Sequence, residues 1–211
     1  MIQSMAKEEQ ILVVERNVIE QTGMFHGLNF NVQPYLEVIF SGVPDFKPRS
    51  EMETNPDFKQ LIPYVIMYCN GKYVTYLRGK RAGEKRLVGN RSIGIGGHIN
   101  PVDDISLFSF RETYLNAVKR EVQEEVNVET AYSDRIVALL NDDTNEVGQV
   151  HLGVVHLWTL ASEAVSKREQ MINQLAFMSM DELLAVRDEM ETWSQLCLDG
   201  LSQMQNCEKT V

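Results

Sequence analysis

The order of elements along this chain predicts an α+β fold, a mixed sheet with helices packed on it. Three observations carry that prediction. Strand-like runs come first, one long amphipathic segment interrupts them, more strand-like runs follow, and helical patterns close the chain. An Asn70-Gly71 pair joins two runs rich in β-branched and aromatic residues. A length of 211 residues with 44% hydrophobic and 24% charged content can bury a real core, as one domain or one domain with an extension.

Taken in order, Gln10 to Glu15 reads as a strand, and a second apolar segment runs from Tyr35 to Phe40. From Ser41 to Phe58 the chain turns polar and carries Pro44, Pro48 and Pro56, so this stretch is the best candidate linker. It divides the chain into an N-terminal extension, 1–58, packed on or extending the core, and a main domain, 59–211. Ile62 to Cys69 and Tyr73 to Leu77 form a hairpin, because Asn and Gly both tolerate the positive φ of a tight turn. Ser92 to Ile99 is a short glycine-rich strand ending in a turn, and Asn100 to Ser109 is a loop.

A helix is expected from about Phe110 to Val126, since Leu115, Val118, Val122 and Val126 share one face at a 3.6-residue period. Asn127 is suited to a left-handed C-cap. Ile136 to Leu140 and Val150 to Leu160 read as strands around a polar segment, Asn141 to Gln149. Lys167 to Gln174 is polar, and Met180 to Met190 and Thr192 to Met204 read as helices.

Composition narrows the function. A formal net charge of -10 argues against general affinity for nucleic-acid backbone, which wants a clustered positive surface. It leaves room for a small phosphate substrate, because a bound cation and a local basic patch can reverse the field. Such a patch exists: 78–91 holds six basic residues and a single acid, Glu84. Three cysteines with no Cys-x-x-Cys pair argue against a disulfide framework and against structural zinc, which fits a reducing compartment. The first ten residues are polar and mixed in charge, unlike a signal peptide, and the longest apolar run, Leu61 to Cys69, is far short of the ~20 residues that span a bilayer. A cytoplasmic protein without membrane partners is expected.

The chemistry gathers on Arg120-Glu121-Val122-Gln123-Glu124-Glu125. On a helical wheel Glu121, Glu124 and Glu125 fall in one sector beside and opposite the apolar face, so three carboxylates can converge on one point. Hard divalent cations take oxygen ligands of this kind, with substrate phosphates and water completing the shell. Acids on a helix face are most often merely solvated; the surroundings of these three raise the functional reading. Glu112 precedes them, and Gly96-Gly97 lies before it, where backbone can come close to a phosphate.

In this arrangement the chain resembles the Nudix hydrolases, whose box is G-x5-E-x7-R-E-U-x-E-E-x-G-U with U aliphatic. Glu112, seven further residues, and then Arg120 through Val128 match its second half. The likeness covers roughly 60–190 and departs from the box twice. Ser106 stands at the box glycine, so Gly97 is the better equivalent, with fourteen residues before Glu112 where the box has five; and Asn127 replaces the second glycine. With this insertion the chain is similar to a bacterial branch of predicted phosphoesterases.

The resemblance implies an α/β/α sandwich and Mg²⁺-dependent hydrolysis, with Mn²⁺ as a substitute, of a nucleoside diphosphate linked to another group. It implies metal ligands at Glu121, Glu124, Glu125 and Glu112, with Glu124, Glu125 and Arg120 catalytic and Arg120 orienting the acids. Gly96, Gly97, His98, Arg78 and Arg91 would meet substrate. The general base stays open among Glu124, Glu125, Asp142, Asp143, Glu146 and Glu169. A homodimer is expected by analogy. Two other readings share the fold: a nucleotide-sensing or scaffold module without turnover, and a diphosphate isomerase, which the lack of any cysteine between Cys69 and Cys197 disfavours. His151 and His156, five apart on one strand, point to opposite faces and make an improbable zinc pair.

Overall fold

A computed structural model describes residues 8–79, 89–103, 109–168 and 172–206. Its first strand, β1 (Gln10–Glu15), runs into α1 (Arg16–Gly23), followed by β2 (Gly27–Asn29), α2 (Gln33–Ser41), β3 (Asp45–Pro48) and α3 (Arg49–Met52). The long β4 (Phe58–Cys69) and β5 (Lys72–Arg78) make the hairpin. Asn70 and Gly71 both take positive φ, 47° and 86°, as the turn requires. Two short strands, β6 (Arg91–Ser92) and β7 (Gly94–Ile95), precede α4 (Phe110–Glu125). Then come β8 (Val126–Val128), β9 (Tyr132–Asn141), α5 (Glu146–Gln149), β10 (His151–Leu160), β11 (Val165–Lys167), β12 (Ile172–Ser179), α6 (Met180–Ala185) and α7 (Thr192–Asn206).

The main sheet has the order β12-β5-β4-β10-β9-β2, with β1, β3, β6 and β7 joined at its margins. It is mixed: β10 lies parallel to β4, and the other pairings are antiparallel. Alternation along β4 divides the core. Leu61, Val65, Met67 and Cys69 face one layer, where α2 and α4 pack through Leu36, Ile39, Tyr114, Val118 and Val122. Tyr64 and Ile66 face the opposite layer, where α7 packs through Cys197, Leu198 and Leu201. The result is the three-layer sandwich. The pairing of β9 with β10 shifts between Val155 and His156, and Val137 and Ala138 consequently both join the α7 layer.

The stretch read as a linker is structured. Phe46 packs against the core, Met52 of α3 is buried, and β1 pairs with both β3 and β4, so the N-terminal residues extend the sheet. Its prolines mark element boundaries, with Pro48 standing at the N-cap of α3. Asn127 is not a left-handed cap either. α4 ends at Val126 in extended conformation, and Asn127 lies in β8, paired with β11. The last carbonyls of α4 are met instead by Arg168, whose backbone N–H donates to Glu125 and whose guanidinium donates to Gln123. The polar residues around 172–174 begin β12, held to β5 across a register shift.

A buried ion network ties the N-terminal elements to the loop after β9. Lys59, fully buried on β4, donates to Asp143 at 2.6 Å, to Asn141 at 2.7 Å and to the Gly148 carbonyl at 2.9 Å. Arg16 of α1 reaches the other Asp143 oxygen at 2.7 Å. Burial pushes the Asp143 carboxyl up, but the bonds from Arg16 and Lys59 outweigh it and hold the group below the usual carboxylate range. A carboxyl with a depressed folded pKa stabilises the fold above its unfolded pKa, and that contribution is lost as pH falls through the folded value. Asp143→Asn leaves Lys59 buried without a countercharge and should cost about 3–5 kcal/mol at pH 7. Denaturant unfolding of both proteins checks this: the gap should close as pH drops below about 4, and a gap unchanged down to pH 2 would refute the network's role.

Candidate functional site

The helix that carries the acids is set by local sequence at its start. Ser109 accepts from the Glu112 N–H, and the Glu112 carboxylate accepts from the Ser109 N–H at 2.7 Å and hydroxyl at 2.9 Å, closing a capping box. These bonds hold the Glu112 carboxyl below its usual range. Glu112 therefore stands in the first turn of α4 and Glu121 in the last turns, about 13 Å further along the axis at 1.5 Å per residue. The structure does not bring Glu112 to the other three acids.

At the far end of α4, one guanidinium organises the surroundings. Arg120 donates to both Asp103 oxygens, at 2.7 and 2.8 Å, to Glu121 at 2.7 Å, to Glu124 at 3.1 Å and to the His98 carbonyl at 3.0 Å. Asp103 is buried in a 3₁₀ turn, Pro101–Asp103, and also accepts from the Asn100 N–H. Sequence reasoning anticipated the bonds to the glutamates and missed Asp103, which lies in the inserted segment.

The glycine pair fits between β4 and α4. A methyl on Gly96 would overlap the Pro63 carbonyl, and one on Gly97 would overlap the Glu121 carboxylate. The bare backbone at 97 is what lets Glu121 sit against the turn. Burial pushes Glu121 up to about 7 despite the attraction of Arg120. Glu124, by contrast, is half exposed and holds Arg120 through one oxygen. Glu125 is partly buried on the same turn. Among the described residues no three His, Cys, Asp or Glu side chains converge as a metal cluster. The donor set nonetheless suits a hard cation: carboxylates at i, i+3 and i+4, one of them desolvated beside a glycine turn.

Gly96 and Gly97 also border a cleft of about 230 Å³. Its floor is Ile62 and Tyr64 of β4. His98, His151 and Trp193 form an aromatic wall, α3 contributes Arg49 and Glu53, and the α5 turn contributes Asn145 and Val147. His98 donates from Nε2 to Gln60 Oε1 at 2.7 Å, which is possible because the Gln60 amide is turned to the Met52 carbonyl. Burial, with Arg49 nearby, pulls the His98 imidazole down to about 3. Arg78 lines the cleft but is held by the buried Glu191 at 2.7 Å; Glu191 also accepts from Ser92 and from Tyr64. Arg91 lies beside Met178 and does not line the cleft.

The acids of the β9–α5 loop are engaged elsewhere. Asp142 is buried and accepts from the Thr144 N–H and hydroxyl and from the Asn145 amide. Asp143 belongs to the Lys59 network. Glu146 is exposed at the start of α5 and away from the cleft lining. Glu169, like most of the basic segment 78–91, lies outside the described residues. The histidines do part: His151 faces the cleft, whereas His156 is buried under α4, donating to Asp134 at 2.7 Å and accepting from the Tyr114 hydroxyl at 2.6 Å.

Sequence reasoning missed Glu53, Glu191, His151 as a cleft residue and Trp193. Glu191 has its partner far away in the chain, Arg78 being 113 residues off, whereas Glu53 pairs locally with Arg49. A buried-type acid beside an aromatic at the start of a helix, Glu191-Thr192-Trp193, was the one local signal.

No family model matches the chain. Protein YmaB of Bacillus subtilis (strain 168) is 31% identical over 205 residues, spanning 92% of this chain and 98% of that protein. The crystal structure of Tm1382, described as a candidate Nudix hydrolase, is 28% identical and superposes with a TM-score of 0.75 over 93% of this chain and 99% of its own. The NUDIX domain of Shewanella oneidensis NrtR, solved with ADP ribose, superposes with a TM-score of 0.51 over 70% of this chain and 86% of its own; at 14% identity it speaks for the fold alone. YmaB and Tm1382 match the chain nearly end to end, and with its glutamate run packed on a glycine turn the chain belongs to the Nudix hydrolase superfamily.

Proposed function

We propose that the protein hydrolyses the diphosphate of a nucleoside diphosphate linked to another group, with Mg²⁺ or Mn²⁺ held by Glu121, Glu124 and Glu125. The observation that carries this reading is the packing of the Glu121 carboxylate against Gly97 at the mouth of the cleft. That contact sets an anionic ligand beside bare backbone, the pairing a bridged phosphate needs. When bound there, a divalent cation supplies charge neutralisation for the anhydride and a more acidic attacking water.

The protein's own groups do the rest. Arg120 fixes Glu121 and restrains Glu124, so the cation competes with a guanidinium for Glu124 and not for solvent-scattered acids. Gly96 and Gly97 let the turn approach substrate. Glu124, with one oxygen on Arg120 and half its surface in water, is the acid placed to take a proton during attack. Asp142 and Asp143 are not offered for that task, because their oxygens are committed to the loop and to Lys59. Glu112 is left to the helix cap and is dropped from the ligand set.

A sensing module without turnover is the second reading. One fact favours it: no acids converge as a cluster among the described residues. A panel of nucleotide diphosphates assayed with Mg²⁺ and with Mn²⁺ separates the two. Turnover of at least one compound that stops on chelation is expected; binding without turnover would favour sensing. In the same assay Glu124→Gln should lower kcat by roughly 10²–10⁴-fold, and an unchanged rate removes Glu124 from the mechanism.

Gly97→Ala tests the ligand set without chemistry. The added methyl meets the far end of the Glu121 side chain, so the fold should survive and Glu121 should move. Mn²⁺ affinity, read by the paramagnetic resonance of the free ion, should fall about 10–100-fold with little change in melting temperature. Full affinity in this variant would rule out Glu121 as a ligand.

A further inference from the structure

The cleft beside Gly97 lies in a family that handles polyanions, yet its described walls carry no spare positive charge. Arg49 is bonded to Glu9 at 2.9 Å and to Glu53 at 3.0 Å. Arg78 is bonded to Glu191. The two histidines have a ring N–H engaged inside the protein. His98 donates one to Gln60 Oε1, and His151 donates one to the Val147 carbonyl, at 2.6 Å from Nδ1. Burial disfavours protonation of both. Each ring is left with an unprotonated nitrogen, an acceptor that repels phosphate oxygens and suits a ligand N–H.

What the cleft does offer is aromatic surface. Trp193 meets Tyr64 edge to face at 5.7 Å between ring centroids and His151 at 6.5 Å; His151 in turn meets His98 at 5.9 Å. Trp193 is only partly buried and is seated on Gly153, where a Cβ would lie 3.1 Å from its Cζ3 atom. One edge of its ring is therefore packed while it lines the cleft.

We infer that this cleft receives the uncharged aromatic base of a nucleotide, stacked on Trp193 with its N–H groups turned to His98 and His151, and does not receive a phosphate group. The inference rests on the hydrolase reading for its orientation: the base lies in the cleft and the diphosphate lies across Gly97 toward Glu121. Trp193 is then the residue that distinguishes a nucleoside end from a phosphate end, while Arg49 and Glu53, drawn from the N-terminal elements, form a charge-balanced rim.

The chain has two tryptophans, and Trp158 is buried against Tyr132, so quenching by a ligand in the cleft reports on Trp193. The four ribonucleoside 5′-monophosphates and inorganic pyrophosphate are titrated separately into the full chain in the presence of Mg²⁺. At least one nucleotide should quench the emission, and pyrophosphate should bind by calorimetry without quenching it. Trp193→Leu should weaken nucleotide binding at least fivefold, the low end for loss of one base–aromatic stack, and leave pyrophosphate binding unchanged. Trp193→Phe should recover most of the nucleotide affinity, and it serves as the test if the leucine variant does not fold. The inference is overturned if no nucleotide quenches the wild type, if pyrophosphate quenches as strongly, or if the variants bind nucleotide as the wild type does. Because the titration needs no turnover, an inactive protein that still shows the quench refutes the hydrolysis and keeps the cleft assignment. An active protein whose KM ignores Trp193 does the reverse.

Discussion

Arg120 is the group on which the candidate site depends. A guanidinium offers five donors in a rigid plane, and here they are divided among Asp103, Glu121, Glu124 and the His98 carbonyl. One side chain thereby fixes the inserted segment, the backbone just past the glycine turn and two of the acids on the helix. Lysine carries the same charge but could not reproduce the paired bonds to Asp103. The fourteen-residue spacing between Gly97 and Glu112 is tolerable for the same reason: the inserted chain is pinned at Asp103, so its length does not reach the acids. An insertion that looked, on spacing alone, like a threat to the motif is anchored by the motif's own arginine.

Charge is distributed unevenly between the glutamate run and the cleft beside it. The chain as a whole is acidic, and the last turns of α4 are strongly so. Anionic phosphate is disfavoured in such a place unless a cation intervenes, so the proposed ligands would select a metal-phosphate pair over phosphate alone. Beyond the glycine turn every described cleft arginine is matched by acids, Arg49 by Glu9 and Glu53, and Arg78 by Glu191. Burying such pairs gains little stability once desolvation is counted. Their consequence is a polar rim with no spare positive charge among the described residues.

How far the sequence carries the reading depends on how local each determinant is. Asn70-Gly71 dictates its own turn, and the 3.6-residue pattern dictates α4, so both elements were legible. The run Arg120 to Glu125 was legible because helical spacing alone brings its acids to one side. Other features needed tertiary knowledge. Glu112 matched a box position, yet Ser109 three residues earlier claims it as a cap, a competition that the S-x-x-E pattern itself announces. Asn127 looked like a helix stop until β11 took it as a strand partner. The proline-marked stretch 41–58 looked like a linker because Phe46 and Met52 find their packing against β1, more than thirty residues earlier, and not in a local pattern. Glu191 and Trp193 left almost no trace, since their roles are set by Tyr64, Arg78 and Gly153, none within thirty residues.

The N-terminal elements show why site and fold are inseparable here. β1 pairs with β4, and α3 packs beneath it through Met52. That packing holds the Met52 carbonyl where Gln60 can donate to it, which turns the Gln60 oxygen toward His98 and so sets the tautomer of a cleft residue. α3 also carries Arg49 and Glu53 to the cleft rim. The acids proposed to hold a cation come from α4, the wall that would meet a base comes from β10 and α7, and the hydrogen-bond character of that wall is fixed from residue 52. Chemistry and selectivity are thus supplied by separate stretches of sequence, and only the mixed sheet, with β4 at its centre, brings them together. Substitutions that loosen α3 should therefore alter what the cleft accepts before they alter what the glutamates can do.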